Sequence, residues 1–282
     1  MWHTRIQTLD ISLFMFDVET SQRHRGCEGL NKLQANSDME MKELICEIGR
    51  RMYARNYVAA NDGNITMKTE AGTIWATPTG VSKGYMTPDM LVEMDMQGNV
   101  LSGTYKPSSE IKMHLRVYQE NSEVRAVVHA HPPVATAFAI AGIDLDQAIS
   151  PEAIVNLGRV AVAPYATPGT QEVPDSIAPY CKGYHAVLLA NHGALTWGRD
   201  MTEAYFRMES LEHYALMYMY ASRLLGRTNE LSSEQVAELV DIRSRMGVTS
   251  GGNPSLRRRE EDTLFDRLAD KIVERVLSKL NS

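Results

Sequence analysis

Apolar residues recur along this chain at two spacings, and the change from one to the other marks out its elements. In "SDMEMKELICEIGRRMYARNYV", residues 37–58, Met41, Leu44, Ile45 and Ile48 share one helical face. Ser37 precedes them as a cap, with Glu40 three residues on, the spacing at which each side chain satisfies the other's backbone N–H. Helical spacing returns in "KPSSEIKMHLRVYQE", where Ile111, Leu115 and Tyr118 form the stripe and Ser108 or Ser109 the cap. It returns again in "DMTEAYFRMESLEHYALMYMYASRLLG", opened by Asp200 and Glu203 and stopped by Gly226, and in "SSEQVAELVDIRSRMG". Between the helices the apolar runs are short. "NITMKT" and "TIWATP" read as strands joined by a turn at Glu70-Ala71-Gly72, and "AVVHAH", "AVLLAN" and "ALTWG" read as further strands.

The two ends have a different texture. Residues 1–36 are of mixed polarity with no sustained period, and are expected to be a poorly ordered extension of a domain spanning 37–246. Residues 247–261 are rich in Gly, Ser and charge and read as a linker. They lead into residues 262–282, "DTLFDRLADKIVERVLSKLNS", in which Leu264, Phe265, Leu268, Ile272, Val273, Val276 and Leu280 recur at helical spacing opposite a charged face. Such a tethered amphipathic helix either docks on its own assembly or enters the groove of a partner.

Composition narrows the partners. With 282 residues, 44% of them hydrophobic, the chain is long enough for one sizeable domain with appendages. A net charge of −6 gives no footing for nucleic acid, which requires concentrated positive charge. No apolar run approaches the roughly 20 residues that span a bilayer, and no secretory leader pattern opens the chain, so a cytoplasmic protein with no membrane partner is expected. Cys27, Cys46 and Cys181 are odd in number and scattered, which fits a reducing compartment.

The chemistry concentrates at strand ends. His129 and His131 are two apart, so on a strand they share a face, and Pro132-Pro133 then stop it. His192 ends another apolar strand beside Gly193. Three histidines at strand ends make a plausible open zinc site that still lacks a carboxylate, and Glu110 in "PSSE" supplies one at the start of a helix. First-turn amides there suit an anion such as phosphate, although ordinary capping also accounts for Ser108 and Ser109. "NDGNIT" and "TPTGVSKG" add Gly63, Asn64, Thr79 and Gly80 as further anion contacts or, equally, as simple turns.

The order of these motifs (GNIT, TPTG, PSSE, HxH, APYATPGT and a strand ending in HG) resembles the class II aldolase/adducin family over roughly residues 40–246, nearest its fuculose-1-phosphate aldolase branch. That resemblance implies an α/β sandwich around a mostly antiparallel central sheet flanked by helices, assembled as a homotetramer. It implies Zn2+ held by His129, His131, His192 and Glu110, with Glu110 also the catalytic acid/base. Gly63, Asn64, Thr79, Gly80, Ser108 and Ser109 then hold the substrate phosphate. The implied reaction cleaves a ketose 1-phosphate of the L-fuculose or L-rhamnulose type to dihydroxyacetone phosphate and an aldehyde such as lactaldehyde. No lysine Schiff base is needed, so Lys83 and Lys112 are set aside.

The family's tyrosines for the aldehyde half are not evident. Glu152 stands near the place of one, and Met246 at the place of the other. Alternatives therefore stay open: a 5-deoxy- or methylthio-ribulose-1-phosphate aldolase, a ribulose-5-phosphate 4-epimerase-like enzyme, a 3-oxo-acid phosphate decarboxylase, or a metal-free adducin-like binding module. The form of residues 262–282 resembles the encapsulation peptides that bring enzymes to bacterial microcompartment shells, which makes a shell protein the expected partner and the microcompartment an expected setting.

Overall fold

A computed structural model describes residues 37–255, apart from the Arg223 side chain. The expected extension at 1–36 and the tail helix at 262–282 lie outside the described residues. The first helix, α1 (Asp38–Ala54), opens with the capping box between Ser37 and Glu40 and buries Met41, Leu44, Ile45 and Ile48. The strands β1 (Asn64–Lys68) and β2 (Ile74–Ala76) pair antiparallel across the expected turn. Two short strands that lack a clear sequence period follow, β3 (Val92–Met94) and β4 (Val100–Ser102), the latter exposed throughout. Next come α2 (Ile111–Glu120), β5 (Ala126–Ala130) and α3 (Pro133–Ala141). Pro132 and Pro133 both end β5 and open α3, since the first turn of a helix has no use for their missing N–H.

Beyond them lie β6 (Ala161–Ala163), α4 (Glu172–Ile177), β7 (Ala186–Leu189), β8 (Gly193–Gly198), α5 (Met201–Met219) and α6 (Ser233–Arg245). The strands form one sheet in the order β4-β3-β2-β1-β5-β8-β7-β6, antiparallel except for the β6–β7 pair. This is the α/β sandwich with a mostly antiparallel sheet that the motifs imply. Alternation along the strands divides the core in two. Ile65, Met67, Val128 and Leu188 pack with α1, α3 and α5 on one face, and Val127, Val187, Leu195 and Trp197 pack with α2 and α4 on the other. The His129 side chain shares the parity of Val127, so the register sends it to the α2 face.

The sequence places a linker from residue 247, but the chain there is held. The Arg159 amide donates to the Gly251 carbonyl at 2.7 Å, the Gly251 amide to the Gly183 carbonyl at 3.0 Å, and the Ser255 amide to the Asp146 carbonyl at 2.9 Å. Arg243 Nη1 donates to the Gly252 carbonyl at 2.8 Å, and the buried His185 Nε2 lies 2.6 Å from Ser250 Oγ. The polar, glycine-rich composition reads as flexible, yet it is what allows backbone to lie against backbone. Gly158 has φ +76°, and a Cβ there would overlap the Gly251 carbonyl. Gly158→Ala is therefore expected to lift this strap and to destabilise the protein by about 1–3 kcal/mol. In hydrogen exchange the Arg159 and Gly251 amides would lose protection while those of β5 and β8 keep it. Unchanged protection at Arg159 would show that the strap does not depend on this contact.

Candidate metal centre

Three imidazoles converge where β5, its exit and the β7–β8 turn meet. His129 lies inside β5, His131 one residue beyond its end, and His192 just before β8. Their ligand atoms all lie within 4.8 Å of one another, and no other such group occurs among the described residues. Gly193 makes the approach possible, because a Cβ at that position would come 2.5 Å from His131 Cδ2 and 2.6 Å from the Ala130 carbonyl.

The protons on these rings can be placed. His129 Nδ1 is 2.9 Å from the Ala194 carbonyl, an acceptor only, so Nδ1 carries the hydrogen and Nε2 is bare. His131 Nδ1 faces the Asp62 carboxylate at 3.5 Å, and His131 Nε2 lies 3.0 Å from the bare Nε2 of His129. Burial pushes the pKa of both histidines down, that of His129 furthest, and holds them neutral. A divalent cation would take the place of a proton shared between them, and the carboxylate–histidine and carbonyl–histidine pairs behind are the usual outer partners of metal-bound imidazole. The donor set fits a divalent metal held by imidazole and carboxylate.

Glu110 completes the group. Its Oε1 is 3.1 Å from His192 Nε2 and its Oε2 is 3.6 Å from His129 Nε2. Burial on its own would raise the pKa of this carboxyl, but the hydrogen bonds from His192 and the Asn64 amide favour its ionised form and hold the group below the usual carboxylate range. Glu110 is not in the first turn of α2 as expected. It stands at the cap position with helical backbone, because Ser108 Oγ accepts from the Glu110 amide at 3.3 Å and the helix starts only at Ile111. Neither Ser108 nor Ser109 is the cap itself.

Beside the metal group opens a cleft of about 270 Å³, lined by Gly63, Asn64, Thr79, Ser108, Ser109, Glu110, His131 and His192 together with Asp62, Lys83 and Pro168. Gly80 adjoins it with φ +74° and open space around it, whereas His129 lies beneath, fully buried. The loops around the cleft are stitched together. The Thr79 amide donates to the Lys106 carbonyl at 2.9 Å, and Lys83 Nζ donates to the Asn61 and Val81 carbonyls, each at 2.8 Å. Burial lowers the Lys83 ammonium to a pKa of about 8, with Asp62 and Glu110 drawing it back up. Sequence reasoning set Lys83 aside as a Schiff-base lysine; the structure makes it a tie between two loops at the cleft wall.

Asp62 was also missed, although it sits inside a motif that drew notice, because nothing local shows that it will reach the His131 ring. Glu152 and Met246 do not line the cleft. Glu152 bonds Ser150 on the surface, and Met246 borders a separate hollow with Phe206 and Arg207.

The Class II Aldolase and Adducin N-terminal domain pattern matches residues 43–219. A 3-oxo-tetronate 4-phosphate decarboxylase of Pectobacterium atrosepticum is 31% identical over 224 residues, covering 78% of this chain and 99% of that protein. An L-fuculose phosphate aldolase of Methanococcus maripaludis is 36% identical over 177 residues, covering 63% of this chain and 94% of that protein. A solved L-fuculose 1-phosphate aldolase superposes with a TM-score of 0.68 at 31% identity, over 75% of this chain and 98% of that one. Its motifs, sheet and histidine group agree with these likenesses, and the chain belongs to the class II aldolase and adducin family.

Proposed function

We propose that this protein is a metal-dependent carbon–carbon lyase acting on a phosphorylated sugar or sugar acid, with a ketose 1-phosphate of the L-fuculose or L-rhamnulose type as substrate. The observation that carries the reading is the meeting of three imidazoles and the Glu110 carboxylate at the edge of a polar cleft. His129, His131, His192 and Glu110 would hold the ion, zinc in this reading. When bound, it supplies Lewis-acid polarisation of the carbonyl beside the bond to be cleaved. Asn64, Thr79, Gly80, Ser108, Ser109 and Gly63 bind the phosphate through amides and hydroxyls, and so set which carbon–carbon bond lies over Glu110.

Cleavage releases one proton from the C4 hydroxyl as the aldehyde forms and consumes one at C3 to complete dihydroxyacetone phosphate. Glu110 is ionised at rest, so it must take up a proton before it can deliver one to C3. Substrate binding would free it from the imidazoles for that task. A homotetramer is part of this proposal, since in one chain neither Glu152 nor Met246 reaches the cleft to handle the aldehyde.

A second reading has a specific observation behind it. No tyrosine lines the cleft among the described residues, and loss of carbon dioxide from a 3-oxo-acid phosphate leaves no aldehyde to be handled. Purified protein assayed on L-fuculose 1-phosphate, L-rhamnulose 1-phosphate and a 3-oxo-tetronate 4-phosphate, with dihydroxyacetone phosphate read by a coupled reductase, is expected to turn over one of them. Chelator should abolish the activity and zinc restore it. Turnover surviving complete metal removal overturns the mechanism, and protein purified without stoichiometric metal favours a binding module.

Glu110→Gln keeps size and hydrogen bonding but removes the base. Its kcat is expected to fall about 10²- to 10⁴-fold while KM stays within a few fold. A variant as fast as wild type would reduce Glu110 to a structural role.

The tail is proposed to dock on a microcompartment shell protein, on the strength of its apolar stripe and mixed charge. Residues 260–282 fused to a fluorescent protein should gather at shells in a host that makes them, and their deletion should leave lyase activity intact. A diffuse fusion, with activity lost on deletion, would assign this segment to the enzyme's own assembly.

A further inference from the structure

A polar seam crosses the apolar layer between the sheet and α2. Asn64 and Thr66 project from β1, and His114 and Tyr118 from α2, and all four are buried. They form an unbroken chain. Tyr118 Oη lies 2.8 Å from Thr66 Oγ1, Thr66 Oγ1 lies 2.9 Å from His114 Nδ1, and His114 Nε2 lies 2.6 Å from Asn64 Oδ1. Asn64 Nδ2 then donates to Glu110 Oε2 at 2.9 Å and to Ser108 Oγ at 3.3 Å.

Each of these groups except Glu110 can run either way, so the chain takes its direction from the carboxylate. An ionised carboxylate only accepts, which requires the Asn64 amide nitrogen to face it and the Asn64 carbonyl to face His114. His114 must then carry its proton on Nε2. Its Nδ1 is left as an acceptor, the Thr66 hydroxyl must donate to it, and the Tyr118 phenol must donate to Thr66. Burial lowers the His114 pKa to about 3, so the ring is neutral and has a single proton to place. Burial likewise raises the Tyr118 pKa and keeps the phenol a donor.

We propose that His114 is a positioning residue of the lyase centre: held as the Nε2–H tautomer between the Asn64 carbonyl on one side and the Thr66 hydroxyl, backed by Tyr118, on the other, it locks the Asn64 amide and, through it, the orientation of Glu110. This rests on the lyase reading for its consequence in catalysis but not for the tautomer. A ring turned to the Nδ1–H form would present a bare nitrogen to the Asn64 carbonyl. The amide would then turn over and set its oxygen against Glu110, which would push the carboxylate out of register with the three histidines.

The test separates orientation from packing. Thr66→Val is nearly isosteric and keeps the packing, but it removes the donor to Nδ1 and leaves the Tyr118 phenol unpaired, so the His114 tautomer, which a loss of stability alone would not move, is the deciding readout. In protein labelled with ¹⁵N-histidine, with the His114 signal assigned by its absence in His114→Gln, wild type is expected to show Nε2 protonated and Nδ1 unprotonated. Thr66→Val should mix the tautomers, lower zinc affinity in chelator competition by about 10-fold, and lower kcat by about 10- to 100-fold. Thr66→Ser, which restores the hydroxyl, should recover all three.

An Nδ1–H ring in wild type, or a Thr66→Val protein equal to wild type in zinc affinity and tautomer, overturns the proposal. If no substrate in the panel turns over, that result counts against the lyase reading, while tautomer and zinc affinity still decide the role of His114. Should Thr66→Val fail to fold, Thr66→Ala, which also removes the donor to Nδ1, and the wild-type spectrum give the same decision.

Discussion

Two buried imidazoles are held with their Nε2 atoms 3.0 Å apart, and the surrounding structure is organised to keep that approach. The Ala194 carbonyl behind His129 fixes where its ring proton sits, and the Asp62 carboxylate stands behind His131. The missing side chain of Gly193 lets the rings close in, and burial keeps them uncharged. Neutral imidazole is a metal ligand and imidazolium is not, so the low dielectric of the sheet interior selects the chemistry as much as the choice of residue does.

That constraint explains the division of labour between the two faces of the sheet. The face under α1, α3 and α5 is apolar almost throughout and supplies stability. The α2 face carries the same kind of core at its centre, but admits Asn64, Thr66, His114 and Tyr118 as a fully bonded row leading to Glu110. A buried polar row is tolerable only when every member is paired, and here the pairing is also what gives it a direction. The Lys83 ammonium serves the loops in the same way, by tying two carbonyls that would otherwise be free to move at the cleft wall.

The far side of the molecule shows how composition can mislead. Gly247, Gly251 and Gly252 with the nearby serines have the look of a tether, yet Gly251 and Pro254 are buried and the segment is bonded through Ser255. Glycine lowers the barrier to disorder, but it also permits the closest backbone contacts, and neighbours distant in sequence decide which applies.

By itself the sequence determined the helices with clear apolar stripes, the capping box at Ser37, the paired strands around Glu70-Ala71-Gly72, and the prominence of His129, His131, His192 and Glu110. Those features are local: periodicity, caps and strand-end histidines are properties of a few consecutive residues. The short strands β3, β4 and β6 were not legible, because three residues hold too little of a period to register, and Pro132-Pro133 was legible as the end of a strand but not as the start of α3. Only the tertiary structure decided that Asp62 backs His131, that Lys83 ties loops, and that a histidine inside the α2 stripe continues a chain of hydrogen bonds from Tyr118 to Glu110. Each of these depends on which face of β1 meets which face of α2, a matter of sheet register and helix rotation that no short stretch of sequence contains.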